Sequence, residues 1–522
     1  MRLGQPIPCA LLVILRTGPH ALTSFRCEMG TLSLAQNDGI RYDMEGMQTK
    51  PYRTGAKTML IEKYEPVNLF DLVPLARDEV LDELDQLLEE DALFQNVKSD
   101  LAQRHPHTLT QGRHSTPVEV ILRMLVVKHL YSWSYEKTEI FVSDSITLRQ
   151  FCRVYLNPVP DDTTLIKWAN LVQPETLHRL LEHVVVMAQR LKVTRGRKLR
   201  TDGTVVESNI HHPTDSSLLV DGVRVLGRTL SRARKVVAST ATEVGQVAKK
   251  VFRNRLRSAR KAARQISNAT RKRTQESRER SRGAYQKLVE IAQKSMEQAH
   301  EVVEMLQEVA TQEAQLLSEQ LEHFLPLVEQ VIEQTVRRVV DGEKVPAQEK
   351  IVSIFEPHTD IIRRGKSDRP TEFGHKVWLD EVEGGIVSDY RVLTGNPQDD
   401  SQWAASLQHH RELFGRPPDQ ASGDRGLYSP DNEDLAKAMG VHRIVLPKPG
   451  HRSAARKQHE RQRWFRRGRR YHQGVEGRIS VLKRRHGLDR CLYHGEDGFE
   501  RWVGWGLIAH NLLSIGTVLA AR

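Results

Sequence analysis

Two aspartates and a glutamate, each in a setting that leaves its carboxylate open to a ligand, are the most chemically suggestive residues of this 522-residue chain. Asp202 lies in Arg200-Thr201-Asp202-Gly203-Thr204-Val205-Val206, a run with strand character in which Gly203 leaves room beside the acid. Asp424 lies in Ala421-Ser422-Gly423-Asp424-Arg425-Gly426, at what reads as a strand end between glycines. Glu476 accompanies Val475, Ile479 and Leu482 at helical spacing, and Lys483 follows seven residues later, nearly aligned on the same helix face. Alone, such an aspartate is more often a turn residue and such a glutamate a solvated one. Gathered together, the three would suit Mg²⁺ or Mn²⁺, which take carboxylate and water oxygens. Two such ions about 4 Å apart can activate an oxygen nucleophile, stabilise a leaving oxygen and neutralise a phosphate, so the chemistry on offer is phosphoryl transfer.

Charge points to a polyanionic partner. The formal net charge is +12, and it is unevenly placed. Between His451 and Arg490 there are 14 Lys/Arg against Glu460, Glu476 and Asp489, and between Lys249 and Arg282 there are 14 against Glu276 and Glu279. Local excess of this kind suits a protein that tracks phosphates. Cys9, Cys27, Cys152 and Cys491 are scattered without a CxxC pair, which excludes a thiolate zinc site or a disulfide framework and fits a reducing cytosol. No P-loop or Gly-rich dinucleotide fingerprint appears, so nucleotide hydrolysis is not expected to drive the chemistry.

The elements that must position these residues follow from periodicity. Residues 1–46 read as unstructured, with Met47 a candidate start, and the short apolar run Ala10 to Leu15 lacks the cleavage region of a leader. Residues 47–195 read as helical, with apolar stripes at Leu81, Leu84, Leu87 and Leu88 and at Ile121, Leu122, Leu125, Val126 and Leu130. Within them, Ser134 to Leu165 suits compact helix–turn–helix units, with Asp161 or Asp162 as an N-cap; this pattern fits a DNA-reading module or a plain helical bundle equally well. Beyond Lys198 strand signals begin: Lys198–Val206, then Phe373–Leu379 and Ile386–Leu393 around Gly384-Gly385, a hairpin signature. A helix over Gln402–Phe414, a strand over Ala421–Asp424, a helix over Asp431–Met439, a strand over Val441–Leu446 and the helix of Glu476 complete an α/β order. Residues 196–229 and 346–522 are thus expected to form one α/β domain, interrupted by a helical insertion over 230–345.

In that insertion Val289, Met296, Val303, Ala310, Leu317, Phe324 and Val331 recur every seven residues, and Pro326 should kink or end its helix. The expectation is a coiled-coil-like helical hairpin with a basic first arm and an acidic second arm. The arms could neutralise each other, or the basic arm could touch nucleic acid. At the other end of the chain, Trp502 to Ala521 is uncharged and nearly long enough to span a bilayer. It also carries His510, Asn511, Ser514 and three glycines, so a buried terminal helix is expected and no membrane partner.

Taken together, the motifs resemble the DDE transposases of bacterial insertion sequences, specifically the ISNCY-type group and its relatives. The resemblance rests on Thr201-Asp202-Gly203-Thr204-Val205-Val206-Glu207-Ser208-Asn209-Ile210-His211, on Pro213 to Leu219 with Asp221-Gly222-Val223-Arg224, and on Phe373-Gly374-His375-Lys376-Val377. It rests also on Gly423-Asp424-Arg425-Gly426-Leu427-Tyr428, Val475-Glu476-Gly477-Arg478, Leu122-Arg123-Met124-Leu125 and Pro160 to Leu165. It implies an RNase H-like catalytic domain with a mixed sheet, an all-helical N-terminal DNA-binding region, and Asp202, Asp424 and Glu476 as the catalytic and metal-binding acids for Mg²⁺ (or Mn²⁺), two ions being the usual complement. It implies metal-dependent cleavage and strand transfer at the ends of a mobile element, with transposon ends and target DNA as partners. A homodimer or higher oligomer on DNA and a cytoplasmic, nucleoid-associated location follow from the same resemblance. Relatives carry a Tyr and an Arg before the Glu and a Lys after it; here Lys483 fits, but Arg469 and His472 stand at the Tyr and Arg positions. Phosphate would then be gripped by Lys483, Arg478, His472, Arg469 and Arg470. The rival readings are an RNase H-like nuclease without strand transfer and an inactive basic coiled-coil DNA-binding protein.

Several other residues compete for roles. Glu207 and Asp221 could replace Asp202 as the first acid, although a supporting role suits their loop setting better. His211-His212 with Asp215 could bind metal or simply hydrogen-bond a loop. Trp464 and Phe465 among arginines could stack on an unpaired base or pack beneath a basic surface.

Overall fold

The chain was analysed as a computed structural model, which describes residues 58–73, 78–104, 107, 113–239, 253–271, 274–363 and 370–522. The expectations for residues 1–46, and for the lysines at 249 and 250, lie outside the described residues.

After a short parallel pair, β1 (Thr58–Met59) and β2 (Arg113–His114), the N-terminal part is helical. Val118–Leu130 is buried along almost its whole length, as its nearly continuous apolar sequence requires. Around it lie Glu79–Leu87, Asp91–Ala102, Tyr135–Asp144, Ile146–Phe151, Asp162–Ala169 and Pro174–Arg190. Caps fix the ends: the Asp161 carboxylate accepts from the Thr164 N–H at 2.7 Å, and the Ser134 hydroxyl accepts from the Lys137 N–H at 3.1 Å. Arg123, inside this region, donates through Nε to Glu119 and through Nη1 to Asp85 and the Phe151 carbonyl.

The sheet comprises β3 (Lys198–Glu207), β4 (Asp360–Ile362), β5 (Glu372–Val382), β6 (Ile386–Leu393), β7 (Gln420–Ser422) and β8 (Arg443–Val445). Its order is β6-β5-β3-β7-β8, with β4 also on the β6 side of β5. β3 runs antiparallel to β5 and parallel to β7, which is parallel to β8. The turn between β5 and β6 places Gly384 and Gly385 at φ +84° and +76°, conformations that explain the two glycines. β4 had no sequence signal, and β7 stops at Ser422, so Asp424 lies in the turn beyond the strand rather than within it.

One hydrophobic core joins the sheet to the N-terminal helices, with the Glu496–Ala520 helix between them. This is the one helix among the described residues long and apolar enough to cross a membrane, but Trp502, Val503, Trp505, Leu507, Leu512 and Ile515 are buried inside the protein. Its polar residues serve that packing. Asn511 donates to the Val387 carbonyl at 2.7 Å and accepts from the Val387 N–H at 2.9 Å, satisfying the edge of β6.

Between β3 and β4 stands a separate helical body with its own core, built from Asp215–Ser239, Leu256–Thr270, Gln275–Gln307 and Gln312–Thr335. Among the described residues, a bundle of four helices therefore replaces the expected hairpin, and its first helix starts at Asp215 instead of near Leu230. The seven-residue repeat spans a turn: Val289 and Val303 are buried from one side and Leu317 and Val331 from the other, while Ala310 is exposed between the helices. That stripe is consumed inside the chain and is not free to join a second copy. Pro326 sits within Gln312–Thr335 without ending it, since Leu321, Leu325, Val328 and Val331 are anchored in the bundle on both sides of it.

Candidate active site

Each candidate acid is positioned by a different element. β3 pairs with β7 in register, Arg200 beside Ser422; Asp202 follows two residues along β3, and Asp424 lies two residues beyond the end of β7. Alternation along β3 puts Arg200 and Asp202 on one face and Gly203 on the other. The Arg200 face is crossed by the helix Arg463–Arg485. That helix is seated through two small residues: a Cβ on Gly468 would lie 2.5 Å from Val445 Cγ2, and one on Gly474 would lie 2.3 Å from Arg200 Nη1.

Four contacts register the helix along β3. Arg200 donates to the Tyr471 carbonyl at 2.5 Å, and the Tyr471 hydroxyl meets the Lys198 carbonyl at 3.4 Å. Further on, Lys483 donates to the Val205 carbonyl at 2.7 Å, while His472 hydrogen-bonds to the Ser422 backbone of β7. His472, Glu476 and Lys483 share one stripe of the helix. The first reaches β7 and the last reaches β3, and Glu476 lies between them on that stripe with its side chain exposed.

A buried ion triplet fastens this arrangement. Glu381 of β5, fully buried, accepts from Arg200 Nε at 2.9 Å and Nη2 at 2.5 Å and from Arg478 Nε at 3.2 Å. Arg200 is two residues from Asp202, and Arg478 is two residues from Glu476. Arg478, offered by sequence as a phosphate contact, is thus held against Glu381, His510 and the Gly385 turn. His472 is also unsuited to a cationic grip: burial first, and the Arg200 charge second, lower its pKa to about 4, so it is neutral at neutral pH. Arg470 is exposed, Arg469 half-exposed, and neither is recorded in an ion pair among the described residues. The basic run is accordingly mixed in purpose, since Arg456 is bound by Glu433, Glu460 and the Leu446 carbonyl while Arg452 pairs with Glu460. Phe465 is buried beneath it, and Trp464 stacks edge-on against His459.

On the opposite face of β3, Lys376 of β5 passes over Gly203, whose added Cβ would lie 3.2 Å from Lys376 Cε. Its ammonium, almost fully buried, donates to the Pro397 carbonyl at 2.6 Å and pairs with Asp399 at 2.5 Å. Asp399 and Asp424 meet across Gly426, where a Cβ would lie 3.2 Å from Asp424 Oδ1 and 3.7 Å from Asp399 Oδ2. The Asp424 carboxylate accepts from the Gly426 N–H at 2.8 Å and the Leu427 N–H at 3.2 Å. Its pKa is raised, by burial first and also by the Asp399 charge, against the lowering effect of those hydrogen bonds. A cation at this point would relieve that crowding. Among the described residues no three His, Cys, Asp or Glu side chains are already closed around a common point, but the all-oxygen donor set is the one a hard divalent ion takes.

The competing residues are occupied. Glu207 pairs with Arg490 at 2.7 Å, Asp221 with Arg224 at 2.7 Å, and Asp215 with Arg338 at 2.8 Å. The Glu381 triplet and the Lys376–Asp399 pair are what sequence reasoning missed. Their signal was slight: charged residues inside apolar strands, at Lys376, Asp380 and Glu381.

Two family models match the chain. One, described as "Transposase domain (DUF772)", covers residues 67–171, the N-terminal helices. The other, described as "Transposase DDE domain", covers residues 437–515, which include β8, Glu476, Lys483 and most of the terminal helix. The chain belongs to the DDE transposases of insertion sequences. Its activity is the cleavage of DNA and the joining of the cut end to target DNA. Neither match includes Asp202 or Asp424. Searches among curated proteins and among solved structures gave no match.

Proposed function

We propose that this transposase is of the ISNCY type and runs cleavage and strand transfer at one RNase H-like site, with Asp202, Asp424 and Glu476 holding Mg²⁺ or Mn²⁺. The observation that supports this is the pairing of β3 with β7 together with the anchoring of the Arg463–Arg485 helix to β3 through Arg200 and Lys483, with Asp202 on β3, Asp424 just beyond β7 and Glu476 on that helix. The order β6-β5-β3-β7-β8, with only β5 reversed relative to β3, supports the RNase H-like assignment.

Bound divalent ions would activate the attacking oxygen and stabilise the leaving one. The chain's own residues do the rest. Arg200, Glu381 and Arg478 hold the strand and the helix at a fixed distance, so Asp202 and Glu476 need not reorganise when DNA arrives. Lys483, the cation nearest the cleft on the Glu476 stripe, and the outward Arg469 and Arg470 set the DNA backbone over it. Water attack frees a 3′-hydroxyl, which then attacks target DNA in the same cleft. Two ends are cut together, so the acting unit is at least a dimer, working where DNA is, in the cytoplasm.

The test is a strand-transfer assay with cognate ends and Mg²⁺. Asp202→Asn, Asp424→Asn and Glu476→Gln proteins should each bind ends normally and form neither nicked nor joined product. Joined product from any folded variant would remove that residue from the site, and nicking without joining by the wild type would favour the plain nuclease.

A further inference from the structure

The two helices that open the inserted bundle carry a continuous unneutralised positive surface. Described residues 222–239 and 253–271 contain twelve Lys/Arg and no Asp or Glu. On Leu256–Thr270, Ala259, Ala262 and Ile266 are buried against the bundle, while Arg257, Arg260, Lys261 and Arg264 lie at i, i+3, i+4 and i+7 on the opposite, exposed face. Arg228 and Arg232 are exposed on the neighbouring helix Asp215–Ser239, which packs directly against it. Among the described residues, none of these six has an ion-pair partner.

The other two helices have the opposite character. Between Glu290 and Thr335 there are ten Glu and one Lys. These glutamates do not pair with the basic stripe: the ion pairs recorded in and beside the bundle are Arg280–Glu276, Arg337 with Glu333, Glu343 and Glu349, Arg338–Asp215, and Arg224–Asp221. Among the described residues, no ion pair joins these glutamates to the exposed basic stripe, although the Glu297 charge is felt at Arg255. The bundle is polarised, one side basic and the other acidic.

We propose that the basic side of the inserted bundle is a second DNA contact, a backbone clamp for duplex DNA outside the catalytic cleft. This rests on the transposase reading and adds to it a surface on a body with its own core, distinct from the Arg463–Arg485 helix. The stripe offers Arg and Lys with no aromatic or large apolar residue on its exposed face, so it suits phosphates read without sequence preference and lacks the apolar centre of a protein interface. The acidic helices on the other side repel the same duplex, which fixes the side of the bundle that meets DNA.

The experiment uses the full chain with Arg257→Gln, Arg260→Gln, Lys261→Gln and Arg264→Gln combined, and a long duplex of unrelated sequence. Each lost phosphate contact lowers the salt slope of binding by about 0.9, so the slope should fall by roughly 3 to 4, and the affinity lost between 50 and 200 mM salt should shrink by about 100-fold. A matched variant on the acidic side, Glu301→Gln, Glu304→Gln and Glu308→Gln, should leave the slope as it was or steeper. Cleavage of a short end oligonucleotide should be unchanged in both. An unchanged slope in the basic-side variant overturns the clamp, as does an equal fall in both variants. A change in oligomeric state without DNA, with the slope intact, assigns the stripe to a second copy of the chain and also overturns it. Failure of the wild type to cut its ends with Mg²⁺ would instead sink the transposase site, whatever the slope.

Discussion

Replacing Glu381 by Gln should destabilise the protein and disable the cleft together. Gln fits the space but has no charge, and its amide nitrogen cannot accept the hydrogen bonds that the second carboxylate oxygen accepts now. Arg200, nearly buried, would then keep its charge without a counter-charge, while Arg478 is about a quarter exposed and partly screened. Neutralising one partner of a buried ion group costs about 3–5 kcal/mol, and the partial exposure of Arg478 places the expectation near the lower end, about 3 kcal/mol. At roughly 2–4 °C per kcal/mol for a unit of this size, the melting temperature should fall by about 6–12 °C. Calorimetric melting of the full chain measures this. The same change loosens the strand of Asp202 from the helix of Glu476, so strand transfer well below the melting onset should lose kcat while DNA affinity holds. A melting temperature within about 2 °C of wild type would refute the energetic reasoning. A destabilised variant with full kcat would refute the link between the triplet and the acids.

Lys376→Met leaves Asp399 and Asp424 without their internal counter-cation, so the variant should melt early in EDTA and recover with Mn²⁺; equal loss in both conditions would count against the pairing. Gly468→Val places side-chain atoms where Val445 already sits and should cost about 1–3 kcal/mol, measured by urea unfolding. Arg469→Ala with Arg470→Ala should lower the salt slope of DNA binding by about 2 without changing the melting temperature, whereas Arg456→Ala should lower the melting temperature, because its guanidinium is tied to Glu433 and Glu460. Acid should destabilise the fold in a defined window. Burial lowers the His410 pKa to about 4, so it is neutral when folded and takes a proton near pH 6.5 when unfolded. Stability should therefore fall as pH drops from about 6.5 to about 4 and then level off, by up to about 3 kcal/mol from this residue, and His410→Gln should flatten that slope.

Local patterning carried a good deal. The N-cap at Asp161, the glycine turn after β5 and the helix Trp403–Phe414 with Gly415 at its end follow from short-range chemistry, and each stands where the residues required it. The family was legible too, because its motifs are contiguous. What sequence alone could not give was set by distant partners. Pro326 did not end its helix, because buried residues on both sides anchor the segment in the bundle. A repeat that reads as one coiled-coil arm is two helices of that bundle, since periodicity specifies a buried stripe and not what buries it. The last helix is long and, from Trp502 onward, uncharged. Its polar residues already pointed to burial, and the surrounding helices and β6 supply the apolar partners that the sequence left unnamed. For the site, sequence named three acids. Strand pairing and the anchoring of one helix decided that Arg478 and His472, near neighbours in a basic run, are held against the sheet while Arg470 faces out. Ion pairs such as Arg200 with Glu381 join residues far apart in the chain, and no local rule reaches across that distance.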